Sequence, residues 1–318
     1  MPDLPKEDTP LVLMNCRWRY GLKFEFMKKF LLFILVLLLA LLPAGNFSCG
    51  GSAVPLGKIG VIVSILPQQE FVQAIGGDKI NVTVMVPPGL DPHTYELKPS
   101  QVREVAQSKM YAKLGSGLGF ELSYLGSLLS VNKGILICNC ADGIQLLTSS
   151  DQEEGPGGTD PHIWLSPNDV KIMVQNITRC LASLDPANQA FYEANRDAYI
   201  TKLTQLDQDI KSGLANVKNR KFMVLHPAWA YFARDYNLEE IAIEVSGKEP
   251  SAQDLARLVD AAKQYNIKII FVSPQFNTRS AEFLAKETGG TTVLIDDLAP
   301  NYIENMYYIL GEMKKAME

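Results

Sequence analysis

From Asp185 to Asn216 the chain runs about thirty residues without an interior proline after Pro186, and Tyr199, Leu203, Leu206, Ile210 and Leu214 recur at three- and four-residue spacing. That pattern predicts one helix, well beyond the roughly 10–14 residues usual in globular proteins. Its Asp185-Pro186 start joins a helix-favouring acid to a proline in the first turn. A rod of this length does not fit inside a small core. It suits a stiff connector between two bodies, so the flanking sequence should divide into two units.

Both flanks carry the same rhythm. KIGVIVSIL (58–66) alternates apolar residues at period two, EFVQAIGG reads as a helix with a glycine stop, and NVTVMVP (81–87) alternates again. A helix in KPSQVREVAQSKM, a strand in YAKLGSG, a helix in FELSYLGSLL and a strand in GILICNC follow. Ser166-Pro167-Asn168-Asp169 supplies an N-cap, a first-turn proline and a first-turn acid, and begins a helix to about Ser183. Beyond the rod, KFMVLH, IAIEVS, KIIFVS and TTVLID read as strands separated by helices; Ser251 to Asp254 is a capping-box-like start. Strands alternating with helices imply parallel sheets. The fold class expected is α/β: two βα-repeat lobes with mainly parallel sheets, joined by a long rigid α-helix. Residues 58–184 form the N-terminal lobe, 185–217 the linking helix and 218–318 the C-terminal lobe.

The N-terminus is different. Lys28 and Lys29 precede an unbroken apolar run at 30–42, FLLFILVLLLALL, and Pro43, Ala44, Gly45 and Ser48 follow. A basic start, a short apolar core and a small-residue end make a secretory signal. The run is short for a membrane span, which needs about 20 residues. Met27 begins this pattern, so 1–26 reads as an upstream extension, 1–48 as extension plus signal peptide, and 49–57 as a tether. Cys49 opens CGGS just past the apolar core. A lipid anchor on Cys49 and plain signal cleavage both fit. Either way the protein is expected outside the cytoplasm, periplasmic or on the outer face of the membrane. The net charge of −5 and the absence of a basic stripe argue against nucleic acid. Cys138 and Cys140 sit two apart in a strand. Buried thiols acting as small hydrophobes are the favoured reading, and a disulfide to Cys180 is the alternative in an oxidising compartment.

Only three histidines occur, and all stand beside proline. His93 lies in DPHTYELKPS, His162 in DPHIWLSP and His226 in LHPAWAYF. His93 follows a strand by a Pro-Pro-Gly turn, His226 ends a strand, and His162 precedes a helix. In parallel α/β sheets, ligand groups gather at the carboxyl ends of strands. Histidines from both halves can therefore meet in the crevice between them, held by the adjacent prolines. TTVLIDD places Asp296 and Asp297 at another strand end. Three imidazoles and one carboxylate suit four-coordinate zinc, whereas manganese prefers more oxygen. Imidazole ligands must be neutral, so affinity should fall in acid. The sequence contains no HExxH, and a zinc hydrolase would need an open coordination position and a general base. A surface adhesin or structural lipoprotein with a fold-stabilising metal is a further alternative.

VPPGLDPHTYELKPSQV, DPHIWLSP, HPAWAYFARDYNL, SGKEPSAQDL, SPQFNTRSAEFLAKETGG and IDDLA together resemble the zinc/manganese-binding solute receptors of bacterial and archaeal ABC importers. The motifs span 58–318 in the family's order. The resemblance implies a non-enzymatic receptor, a monomer whose partner is an ABC permease, with one divalent ion in the cleft between the lobes. Motif by motif it carries the ligands to His93, His162, His226 and Asp296, with Asp296 preferred to Asp297. Manganese receptors usually have a carboxylate where His226 stands, so the cargo implied is Zn2+, with Mn2+ or iron as runner-up. Two departures stand out. The loop before His162, DQEEGPGGT, is acidic and has no histidine, and Ser273 stands where the family often has an acid. Trp164, Trp229 and Tyr231 are read as packing around the site.

Overall fold

The computed structural model describes residues 57–149, 158–244 and 247–318. The expected signal at 30–42 and Cys49 lie outside the described residues, as does most of the acidic loop. Among the described residues no helix is long and apolar enough to cross a membrane.

The two βα series form two separate sheets. The first contains β1 (Ile59–Val63), β2 (Ile80–Val84), β3 (Met110–Lys113) and β4 (Leu136–Asn139), in the order β2-β1-β3-β4 and parallel throughout. The second contains β5 (Lys221–Val224), β6 (Glu239–Ala242), β7 (Ile269–Val272) and β8 (Thr291–Leu294), in the order β6-β5-β7-β8. Each sheet begins on an inner strand, steps outward one way and then the other. Each therefore has a switch point where loops splay apart and ligands bind. The connecting helices are α1 (Leu66–Gly76), α2 (Pro99–Gln107) and α3 (Gly119–Val131) in the first lobe, and α6 (Ala230–Tyr236), α7 (Ala252–Gln264) and α8 (Arg279–Thr288) in the second. The expected N-caps are in place. Ser166 Oγ accepts from Asp169 N at the start of α4 (Pro167–Leu184), and Ser251 and Asp254 cap α7 reciprocally.

The linking helix α5 is Gln189–Leu214, 26 residues. At 1.5 Å per residue it spans about 39 Å. Its apolar stripe is not left in solvent. Tyr192, Leu203, Leu206, Ile210 and Leu214 are buried against α4, α1 and the last helix, α9 (Tyr302–Met317). Asp207 enters the same stripe and accepts hydrogen bonds from Asn168, Lys211 and Tyr236. The rod is thus also the spine against which both lobes pack. Helix α9, expected within the C-terminal lobe, runs back along α5 to α1, where the Tyr302 ring meets Phe71 edge-on at 4.9 Å.

The cysteines divide. Cys138 in β4 is joined to Cys180 in α4 by a disulfide, so the favoured buried-thiol reading holds only for Cys140, which is free and buried. The two cysteines have different neighbours: Cys138 faces α4, where Cys180 lies, whereas the Cys140 thiol lies under Gln68.

Candidate metal centre

The Asp-Pro-His tripeptide is a small turn-forming device, and both copies use it alike. Asp91 Oδ1 accepts the backbone N–H of His93 at 2.8 Å, and Asp160 Oδ1 accepts that of His162 at 2.8 Å. An aspartate bonding the backbone two residues on is an Asx turn, and the intervening proline fixes its φ. In the second copy the same oxygen also meets the ring, with His162 Nδ1 to Asp160 Oδ1 at 2.8 Å. Asp160 thus sets both the backbone and the ring orientation of His162.

Strand pairing positions the third imidazole. β5 and β6 pair Lys221 with Glu239, and pairing continues past the strands as Ile243 N donates to Val224 O and Glu244 N to Leu225 O. That register lays Glu244 beside His226, whose Nδ1 is 2.8 Å from Glu244 Oε2. Phe276, in the loop after β7, stacks on the other side of the ring at 4.3 Å and 18°. A carboxylate partner at Nδ1 leaves the Nε2 lone pair for a metal and fixes the tautomer. His226 Nε2 is buried and has no hydrogen-bond partner among the described residues.

The three imidazoles form a near-equilateral triangle. Ring centroids are 5.7 Å apart for His93–His162, 5.4 Å for His93–His226 and 5.4 Å for His162–His226. One nitrogen from each ring lies within 4.8 Å of the others, a spacing that lets all three reach one ion. No carboxylate joins them within that span among the described residues. Burial, then the charges of His162 and His226, hold His93 well below the usual imidazole pKa, so its ring is neutral and ready to ligate.

The two aspartates after β8 differ. Asp296, the expected carboxylate, is engaged in its own loop: its Oδ1 accepts from Gln275 Nε2 and from Leu298 N, both at 2.9 Å. Asp297 is buried, and its Oδ1 has no hydrogen-bond partner among the described residues. Burial raises its pKa, whereas His226, the Ser273 hydroxyl and His162 lower it. The Ser273 position that departs from the family pattern supplies it a hydroxyl.

Residues that the sequence did not single out carry the rest. Glu121, buried in α3, accepts from Leu114 N and Gly115 N and braces the loop before α3. That loop backs both Asp-Pro-His turns. Ser116 Oγ donates to Pro161 O at 2.6 Å, and Gly119 lies so close to His93 that an added Cβ would sit 3.2 Å from its Cα. Tyr231, read as packing, also donates its hydroxyl to Asp160 O and accepts from Leu147 N, tying the His162 loop to the opposite lobe.

The profile of the periplasmic zinc-uptake complex component A family, ZnuA, matches residues 61–316. The high-affinity zinc uptake system protein ZnuA of Bacillus subtilis is 29% identical over 266 residues, covering 80% of this chain and 83% of that protein. The zinc-binding lipoprotein AdcA of Streptococcus pneumoniae is 29% identical over 292 residues, covering 85% of this chain and 58% of its own length. A crystal structure of a ZnuA superposes with a TM-score of 0.78 at 42% identity, covering 82% of this chain and all of that one. The arrangement of two parallel lobes on one long helix is common to both structures. The chain belongs to the ZnuA family of periplasmic zinc-uptake components.

Proposed function

We propose that this protein is an exported receptor that captures one Zn2+ with His93, His162, His226 and Asp296 and delivers it to an ABC permease. It is a receptor, not an enzyme. The observation that carries the reading is the triangle of three imidazoles whose ligating nitrogens lie within 4.8 Å of one another, two of them oriented by carboxylates. Such a triangle with one adjoining carboxylate matches the four-coordinate nitrogen and oxygen set zinc prefers; manganese would demand more oxygen ligands. Asp296 stays the preferred carboxylate: Gln275 and Leu298 hold its Oδ1 and leave its other oxygen for an ion, whereas Asp297, buried with one oxygen unpartnered among the described residues, is the alternative.

Capture replaces the ion's water shell with these four groups. Because Asp160, Glu244 and Phe276 hold the rings in advance, little ordering remains to be done when the ion arrives. The finer reading is a monomer in the periplasm or on the outer face of the membrane, with Cys49 as the candidate lipid anchor. Mass spectrometry of the cell-derived N-terminus distinguishes a lipidated Cys49 from a plain cleaved end. The receptor reading is tested by calorimetric titration of metal-stripped protein with zinc and then manganese. One tight zinc per chain, not displaced by excess manganese and lost in His226→Ala, is expected. Tight manganese with zinc binding indifferent to His226→Ala would overturn the reading. Asp296→Asn should weaken zinc and Asp297→Asn should weaken it far less; the reverse order would make Asp297 the ligand.

A further inference from the structure

We propose that Tyr231 is a positioning residue that locks His162 and His226 into one preformed half of the metal centre. The inference rests on the reading of both histidines as zinc ligands. Tyr231 lies five residues after His226, is fully buried, and reaches from α6 in the C-terminal lobe to the turn that carries His162. That turn leaves a short antiparallel ladder. Thr148 bridges Thr159, Asp160 N donates to Leu147 O at 2.9 Å, and Ser149 N donates to Gly158 O. In such a ladder Leu147 and Asp160 should exchange two direct hydrogen bonds. Here one is direct and the other is relayed through Tyr231. Leu147 N donates to its hydroxyl at 3.0 Å, and the hydroxyl donates to Asp160 O at 2.8 Å. A side chain of one lobe thus supplies a rung to a ladder of the other.

What hangs on that rung is Asp160. Its Oδ1 holds both the backbone N–H and the ring Nδ1 of His162, each at 2.8 Å. A shift of the Asp160 backbone therefore moves the His162 ring. On its other side, Tyr231 is joined to His226 by a short run of chain that begins with Pro227 and passes into α6. Further ties stop α6 from sliding. Arg234, whose guanidinium lies 5.1 Å from the centre of the Tyr231 ring, donates to Asp169 Oδ2 at 2.9 Å, and Asp235 Oδ2 accepts from Ser166 Oγ at 2.5 Å. Tyr231, Arg234 and Asp235 thus fasten segment 226–235 to segment 160–169, and Tyr231 is the tie at the ligand turn. The 5.4 Å between the His162 and His226 rings is set by this local contact rather than by the two sheets from which the segments come. Fixing that spacing before an ion arrives lowers the ordering needed for capture. The alternative is a ring that only fills space between the lobes, a role phenylalanine would serve equally. The two roles differ in one more respect: a positioning residue acts on affinity only through the group it positions.

The test is the zinc affinity of metal-stripped protein, read by competition with a chelator, for Tyr231→Phe in the native chain and in the His93→Gln and His162→Gln backgrounds. Phenylalanine keeps the buried ring and removes the rung. Tyr231→Phe should weaken zinc about tenfold in the native chain and again with His93→Gln, but about twofold or less with His162→Gln, where the positioned ligand is already gone. Native affinity in Tyr231→Phe, or an equal loss in all three backgrounds, would show a packing or general structural role and overturn the inference alone. A His162→Gln chain that binds zinc normally would overturn the ligand assignment, and this inference with it. Arg234→Gln loosens the same helix from its outer side and serves if Tyr231→Phe does not fold. Its zinc loss should likewise vanish with His162→Gln, and a loss that persists there refutes the positioning account.

Discussion

Gly119→Ala isolates the geometry of His93 from the stability of the lobe that holds it. Gly119 is the first residue of α3, and a Cβ there would stand 3.2 Å from His93 Cα, 3.4 Å from its carbonyl oxygen and 3.6 Å from Nδ1. The first two distances are tighter than ordinary van der Waals contact, so the His93 backbone must yield by a few tenths of an ångström. Metal–ligand distances tolerate only about 0.2 Å. Displacing one of four ligands by that much should lower zinc affinity about tenfold, within the range of perturbations to groups that orient ligands. Stability should change little: the clash costs about 1 kcal/mol, and alanine in place of glycine in a helix returns up to about that amount. Gly126→Ala, on the same helix with nothing within 4 Å of its added Cβ, is the control. It should raise stability by about 0.5–1 kcal/mol and leave affinity alone. Calorimetry and thermal melting of both variants make the comparison. Native affinity in Gly119→Ala, or equal weakening in Gly126→Ala, would refute the argument that close approach at Gly119 sets the place of His93.

Three further outcomes follow from the same structure. Glu244→Gln keeps an acceptor beside His226 Nδ1 but removes its charge, and should weaken zinc about tenfold, with metal-free stability changing much less; an affinity within error of native would show that Glu244 does not orient His226. Cys180→Ser opens a disulfide closing 42 residues, and denaturant unfolding should show a loss approaching about 4 kcal/mol with zinc stoichiometry retained. His93 is held below its ordinary pKa of 6.5 in the fold, so between the two values the unfolded chain binds the extra proton. That contribution to metal-free stability is present above 6.5 and lost as pH falls toward the folded value; the loss between pH 7 and 5.5 should shrink in His93→Gln, and an unchanged pH profile in that variant would contradict it.

Much of this was legible in the sequence because it depends on local pattern. Period-two strands, capped helices and the proline-free rod fix two βα lobes. The Asp-Pro-His repeat marks two of the proposed ligands and carries, in Asp160, the acceptor that orients one of them. What was not legible depends on tertiary contact. Asp296 and Asp297 are neighbours of identical chemistry, and only tertiary contact distinguishes them: Asp296 Oδ1 meets Leu298 N and Gln275, whereas Asp297 is buried. Glu244 reaches His226 through strand register, Gly119 matters only because His93 lies against it, and Cys138 finds Cys180 only once α4 packs on β4. The return of α9 to α1 also has no local signature: it depends on Glu70 and Phe71 meeting Tyr302.

The central claim is that three imidazoles and the Asp296 carboxylate hold one zinc ion. Zinc-edge X-ray absorption of the loaded protein, beside its Asp296→Asn variant, tests it most directly. The account predicts a four-coordinate shell of three imidazole nitrogens and one oxygen at about 2.0–2.2 Å, whose protein oxygen is replaced by solvent in the variant with weaker binding. A sulfur ligand, a six-coordinate oxygen-rich shell, or an unchanged spectrum and affinity in Asp296→Asn would contradict it.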